Sequence, residues 1–479
     1  MDITRKILPL MMCIAVLERI AFYGIRTMLV LFVIKQFMYE DAAAFYLNTT
    51  LMALSFILSI FGGWVADKYT SQHPMMTWGL MLNIAGCIML LGDTHVFFLM
   101  GVSFVFVGAS LFRPSMMSLV GHLADQLKMV KSITFTLFYC IFNLGGFIGI
   151  FGCAAMGEYL GWHYAFWIAL SVNLIALIIL FSSRNFIQNL QTQSYPFHKI
   201  MKGMAFSLIL LPIVLISVQF SAQVMNTLPY FFAIFILFLF IYSYRTKDLG
   251  ITWFYYAMMG IMINLIFFSI YEQQSNSLVL FIERNIDRSV SIPFLNIDLM
   301  PIILFQAIDP LYNIIFGGLI AWVWFKLDQQ LKSPSHFVKC SIGLICLGIG
   351  FLIILFLKPT AEDGIMPMTT LFIATIFIVA GELLVLPITM SYFSNIAPKN
   401  MHSFSMGIWS LSLGFSEFLA VKFASFTTSD AICYIDNPIL RMNLYCDCFK
   451  IYGLIPIGAG ILVMMMTYIT RKWFRIPSL

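Results

Sequence analysis

Residues 17–26 read Leu17-Glu18-Arg19-Ile20-Ala21-Phe22-Tyr23-Gly24-Ile25-Arg26, three charges enclosed by an apolar run that extends from 8 to 34. A run of that length crosses a hydrocarbon core about 30 Å thick at 1.5 Å per helical residue. Glu18, Phe22 and Arg26 fall at i, i+4 and i+8 and so share one helical face, with Arg19 and Tyr23 beside them. A span that carries charge on one face needs a polar cavity or a charged partner there.

The rest of the chain repeats the pattern. Of 479 residues, 61% are hydrophobic and 10% charged, with a mean hydropathy of +0.92, too little polar side chain to cover a water-soluble globule. Fourteen apolar stretches are predicted as helices rather than barrel strands: 8–34, 45–66, 75–92, 96–118, 133–156, 163–183, 201–221, 227–244, 251–272, 300–324, 337–357, 368–392, 403–426 and 450–470. An even number puts both termini on one side. The connecting segments on that side hold 17 Lys and Arg, and those opposite hold six (Lys35, Arg284, Arg288, Lys358, Arg441, Lys450). The positive-inside bias therefore makes both termini cytoplasmic, and the formal net charge of +5 reflects topology, with no reason to invoke nucleic acid. The first run is expected to remain as a span, because it is too long for a signal peptide and no small-residue cleavage site follows it.

The stretches fall into six, then two behind a polar segment (184–199), then six, which divides the chain into a bundle at 1–184, a linker with two additional spans at 185–247 and a second bundle at 248–479. Two six-helix bundles around a central cavity resemble the major facilitator fold. Gly62-Gly63-Trp64-Val65-Ala66-Asp67-Lys68 resembles the loop motif of that superfamily, in part, since Thr70 stands where a further Gly is usual. Read alone, it is also a charge pair ending a helix. The two additional spans carry no ionisable residue within the apolar run and are expected to pack peripherally or face lipid. Six of nine cysteines lie in or beside spans as small fillers; Cys433, Cys446 and Cys448 cluster in the last external loop, where a bridge from Cys433 to either partner and free thiols are both open.

Nine ionisable residues lie inside the membrane: Glu18, Arg19 and Arg26 in the first span, Arg113 in the fourth, Glu272 closing the ninth, Asp309 in the tenth, Glu382 in the twelfth, and Glu417 and Lys422 in the thirteenth. Exposed to lipid they would cost roughly 20 to 30 kcal/mol together, at about 2.5 to 3.5 kcal/mol each. They must line a cavity or pair, and a guanidinium fork beside a phenol suits a carboxylate ligand.

At this point the residues carry a family resemblance. Leu17–Gly24 with Arg26, Ser110-Leu111-Phe112-Arg113-Pro114, Phe138-Tyr139-Cys140-Ile141-Phe142-Asn143-Leu144-Gly145-Gly146 and Gly157–His163 resemble motifs of the proton-dependent oligopeptide transporter (POT) family. Tyr271-Glu272-Gln273-Gln274-Ser275, Glu283–Arg288, Gly381-Glu382-Leu383 with Pro387 and Ser391, and Gly407-Ile408-Trp409 extend the match along nearly the whole chain. The resemblance implies a proton-driven importer of di- and tripeptides in the inner membrane of a bacterium, with peptides and protons as partners, no cofactor and one chain as the working unit. Arg19, Tyr23, Arg26 and Arg113 match positions for the peptide carboxylate, Asn143, Asp309 and Glu382 those for its amino group, and Trp409 a cavity wall. Glu272 matches a gate carboxylate that would pair with a cation of the first bundle, here Arg26. Glu18, Glu272, Asp309, Glu382 and Glu417 are the candidates for proton coupling and gating.

The chain also departs from the family. Ala15 stands three residues before Glu18 where a further Glu is usual, Arg113 replaces a Lys that can release its proton, Asp309 and Glu417 replace Asn residues, and Leu386 replaces a Ser. Three readings stay open: Asp309 or Glu417 takes over the proton; the added carboxylates favour cationic peptides; or coupling is lost, leaving an uncoupled facilitator or a sensor for peptides or other small amine and carboxylate solutes. An enzyme is the rival from another class, but His-Glu-X-X-His, Gly-X-Ser-X-Gly and a phosphate-binding glycine loop are all missing from the sequence, and its seven His lie at loops or span ends, which speaks against a metal site.

Overall fold

The computed structural model describes residues 2–188, 195–245, 250–292, 297–300, 305, 307–329, 334–397, 401–424 and 437–474. Its helices include fourteen that are long and apolar enough to cross a membrane, in order Ile7–Leu29, Tyr46–Thr70, Gln72–Leu90, His95–Gln126, Ile133–Cys153, Trp162–Ser182, Phe197–Gln219, Ser221–Arg245, Trp253–Asn285, Ile308–Leu327, His336–Thr360, Thr369–Ile396, His402–Ala424 and Pro438–Ile469. They are numbered here as spans one to fourteen. The chain is a multi-pass, all-α membrane protein.

The helices group into two compact units, one formed by Met1–Met262 with Met390–Phe418 and the other by Ile263–Thr389 with Leu419–Leu479. In the first unit, close approach depends on small residues. A Cβ on Gly63 would come within 2.2 Å of the Ser403 carbonyl oxygen, and one on Gly407 within 2.5 Å of Ile60 Cα, so spans two and thirteen touch backbone to backbone. The second span ends in a π-helical turn, Ala66–Thr70, after which Ser71 at φ +66° redirects the chain into the third. Asp67 on that turn accepts a hydrogen bond from the Phe404 N–H at 2.9 Å, satisfying one of the amides left open where the thirteenth helix starts. The carboxylate of the Gly62–Lys68 motif thus caps a helix.

Spans seven and eight belong to this unit and are its most exposed members, with 22% and 17% of their most apolar stretch buried. Among the contacts that anchor them, Trp78 Nε1 donates to Ser207 Oγ at 3.0 Å, Thr50 Oγ1 donates to the Ser221 carbonyl at 3.3 Å, and the Phe232 ring lies 4.0 Å from that of Phe415.

In the second unit three features were not legible in the apolar pattern. The ninth span runs past Glu272 through a 3-10 turn into a further helix, Ser277–Asn285. Beyond it Ile286–Asp287 pairs in parallel with Met366–Pro367, and Ser289–Ile292 runs antiparallel to Ile297–Leu299. The last helix starts at Pro438, twelve residues before the expected 450, because Tyr445, Cys446 and Phe449 are buried along one side. Cys446 and Cys448 therefore lie on a helix and not in a loop, while Cys433 falls outside the described residues. Arg284 Nη1 donates to Tyr445 Oη at 3.2 Å, and Arg441 Nη2 donates to the Arg284 carbonyl at 2.9 Å, tying the two added helical segments together.

Candidate functional site

Each unit contains a polar cluster built from the intramembrane charges. In the first unit, the first helix contributes Glu18 and Arg19, both buried, and the fourth contributes Arg113, 2% exposed. Arg19 Nε lies 3.9 Å from Glu18 Oε2, the one ion pair Glu18 makes among the described residues. The Arg19 guanidinium carbon sits 3.4 Å from the centre of the Phe142 ring and 5.3 Å from that of Tyr23. That of Arg113 sits 4.0 Å from the Phe22 ring centre, and Arg26 lies 5.6 Å from the Tyr23 ring centre. The glycines of the fifth helix permit this crowding, since a Cβ on Gly145 would meet Arg19 Cβ at 2.7 Å.

The cations are held largely by aromatic faces, which stabilise a guanidinium without using up its donors. Arg113 Nη1 donates to Ser55 Oγ at a long 3.5 Å, and Arg113 Nε and Nη2, Arg19 Nε and both carboxylate oxygens of Glu18 are buried with no hydrogen-bond partner among the described residues. Buried polar atoms of this kind normally find a partner, and unmet ones cost about 1 to 3 kcal/mol each. The guanidinium N–H groups of Arg19 and Arg113 can donate to an anion, whereas the Glu18 oxygens call for a donor. Asn143, on the fifth helix, donates its amide to the Tyr139 carbonyl of its own helix at 3.0 Å. Trp409 and Glu417, both buried, belong to the thirteenth helix of the same unit.

In the second unit the carboxylates converge. Asn313 Nδ2 donates to Asp309 Oδ1 and to Glu382 Oε2, each at 2.7 Å, bridging the tenth and twelfth helices. Asp309 Oδ2 accepts from Tyr271 Oη at 2.7 Å and from Gln274 Nε2 at 3.1 Å, and Asp309 and Glu382 converge on the one amide nitrogen of Asn313. Glu272 stands between Tyr271 and Gln274 on the 3-10 turn, where its carbonyl accepts from Asn276 Nδ2 at 3.0 Å. Reading the sequence singled out Asp309, Glu382 and Glu272 but missed Asn313, Tyr271 and Gln274 as their partners. Tyr271 and Gln274 lay in a motif already quoted; Asn313 had one signal, its place one turn after Asp309.

The profile of the POT family matches residues 48–435. The chain belongs to the POT family. It is a transporter of that family and not an enzyme. It is 24% identical over 412 residues to the "Uncharacterized transporter YclF" of Bacillus subtilis (strain 168), covering 82% of each chain. To the "Dipeptide and tripeptide permease B" of Salmonella typhimurium it is 22% identical over 472 residues, covering 96% of this chain and 94% of the relative. Among solved structures, one described as a bacterial homologue of the human drug peptide transporters PepT1 and PepT2 superposes with a TM-score of 0.76 at 20% identity, covering 97% of this chain and 98% of that one. A POT family transporter in complex with 5-aminolevulinic acid superposes with a TM-score of 0.75, also at 20% identity, covering 96% and 97%. These likenesses establish the major facilitator fold for this POT chain.

Proposed function

We propose that this POT family chain is a secondary active transporter that imports di- and tripeptides by proton symport with alternating access, in the inner membrane of a bacterium with both termini cytoplasmic. The observation that carries the reading is the convergence of Asp309 and Glu382 on the shared amide of Asn313, each at 2.7 Å. Two buried carboxylates drawn to one amide nitrogen repel each other when both are charged, and a proton on either relieves that repulsion. A chain that lacks the usual Glu at Ala15 and carries Arg113 in place of Lys has here a second place to hold the transported proton.

The substrate class is supported by the dipeptide and tripeptide permeases to which the chain is similar over nearly its full length. A zwitterionic peptide needs a cationic and an anionic partner. Arg19, Arg113 and Arg26, with Tyr23, suit its carboxylate, and Asp309 and Glu382 suit its amino group, with Asn143 and Trp409 completing the set. Glu18, Glu272 and Glu417 are assigned to coupling and gating. The six-plus-two-plus-six division at 184 and 247 is the helical plan within which the proposal is framed. One proton crossing 100 mV supplies about 2.3 kcal/mol, close to a fifty-fold concentration ratio.

The test is uptake of labelled dialanine into proteoliposomes, with and without an inward proton gradient and a negative-inside potential. Accumulation above equilibrium only with the gradient is expected. Equilibration alone would reduce the protein to a facilitator, and absence of flux would remove dialanine as a substrate.

A further inference from the structure

The end of the second span presents a group of cations that transport chemistry does not use. The linker helix Phe197–Ser207 docks on the π-helical turn through Gly203, where a Cβ would come within 2.7 Å of Tyr69 Cβ. The Tyr195 hydroxyl donates to the Asp67 carbonyl and fixes the segment leading into it. This docking places two ammonium groups around one ring: Lys68 Nζ is 5.6 Å and Lys199 Nζ 6.0 Å from the centre of Tyr69. Lys68 Nζ also lies 4.9 Å from the Trp64 ring centre, and Lys199 Nζ 4.0 Å from that of Tyr195.

Neither ammonium has a carboxylate within ion-pair distance among the described residues. The neighbouring acid, Asp67, points its carboxylate at Phe404 N–H and is spent as a helix cap. Aromatic faces hold the amines in place but leave their N–H donors available. The depth is also informative. The Trp64 and Tyr69 rings lie 5.5 Å apart at the end of the second span, Trp and Tyr being side chains that settle at the headgroup layer, and Phe197, 76% exposed, opens the helix that follows Tyr195. Two ammonium groups set around one ring at that level match a phosphate ester carrying acyl chains beside it.

We propose that Lys68 and Lys199, framed by Trp64, Tyr69 and Tyr195, bind the headgroup phosphate of an anionic glycerophospholipid. The lipid bridges the second span and the linker helix at the point where the inserted pair joins the first unit. Two basic residues near an anionic headgroup are worth roughly a fivefold affinity each, so removing both weakens binding by about tenfold or more.

The experiment is native mass spectrometry of the full chain in mild detergent, titrated with phosphatidylglycerol, phosphatidylcholine or inorganic phosphate. The wild type is expected to retain phosphatidylglycerol in preference to phosphatidylcholine. The variant K68Q/K199Q should lose at least tenfold in apparent affinity, K68R/K199R should retain it, and K450Q, on the fourteenth span, should leave it unchanged. Equal retention by K68Q/K199Q, equal binding of phosphatidylcholine, or displacement of the lipid by inorganic phosphate at matched concentration would each overturn the proposal, the last in favour of a free-anion site.

Discussion

The phenol of Tyr271 donates to the carboxylate of Asp309 across 2.7 Å, joining the ninth span, just before its 3-10 turn, to the start of the tenth. The hydroxyl serves Oδ2 while the Asn313 amide serves Oδ1, so both oxygens of Asp309, the proposed proton carrier, have a fixed donor. Replacing Asp309 by Asn keeps the shape and removes the proton site. D309N is expected to abolish gradient-driven accumulation of dialanine while sparing counterflow; intact accumulation would reassign the proton to another group, Glu417 being the next candidate.

Tyr271→Phe removes one donor without changing packing. A hydrogen bond to a charged group contributes about 1.5 to 3 kcal/mol, so the ionised form of Asp309 loses support by roughly that amount. Accumulation at a fixed proton gradient should fall by about tenfold or more, with the KM of counterflow changed far less. A parallel loss of both would point to damaged folding, which thermal unfolding of the purified variant would reveal.

Asn313→Ala leaves two carboxyls without their shared amide. Loss of a buried partner costs about 1 to 3 kcal/mol. The expected outcome is a lowered thermal midpoint together with lost accumulation, whereas Asn313→Gln should recover part of the stability if its longer amide still reaches Glu382. An unchanged midpoint for N313A would show that the bridge contributes nothing.

On the cationic side, Arg113→Lys keeps the charge but gives up the flat contact with Phe22 and the two buried, unmet donors Nε and Nη2. The KM for dialanine is expected to rise by about tenfold, and the preference for dialanine over dialanine amide, which lacks the carboxylate, should shrink in competition assays. A preference as strong in R113K as in the wild type would take Arg113 out of carboxylate recognition.

Much of the fold was readable because apolar runs and intramembrane charge are both expensive to misplace. Arg19, Arg113 and Glu382 stand out in sequence for the same reason that each is buried against an aromatic or amide partner within its own unit. The roles of Asn313, Tyr271 and Gln274 as partners of Asp309 were not read, although the last two lay in a quoted motif, because a neutral polar side chain inside a span carries little penalty and its value appears only when another helix brings a partner. The start of the last helix was missed on similar grounds. Arg441, Asp447 and Lys450 dilute the hydropathy of 438–450, while Tyr445, Cys446 and Phe449 give that segment a buried side that pattern alone does not reveal.

That early start has a practical consequence. Pro438–Ile469 is 32 residues of continuous helix, about 48 Å long at 1.5 Å per residue, against a hydrocarbon core of about 30 Å. A helix of that length crossing upright outreaches the acyl chains by roughly a third of its own length, a stiff post rooted in the second unit. Asp447 and Lys450 project from that post one turn apart and are exposed. A paramagnetic or fluorescent reporter clipped across those two positions would be locked to the helix axis, so its signal would track movement of the unit and not the wobble of its own tether.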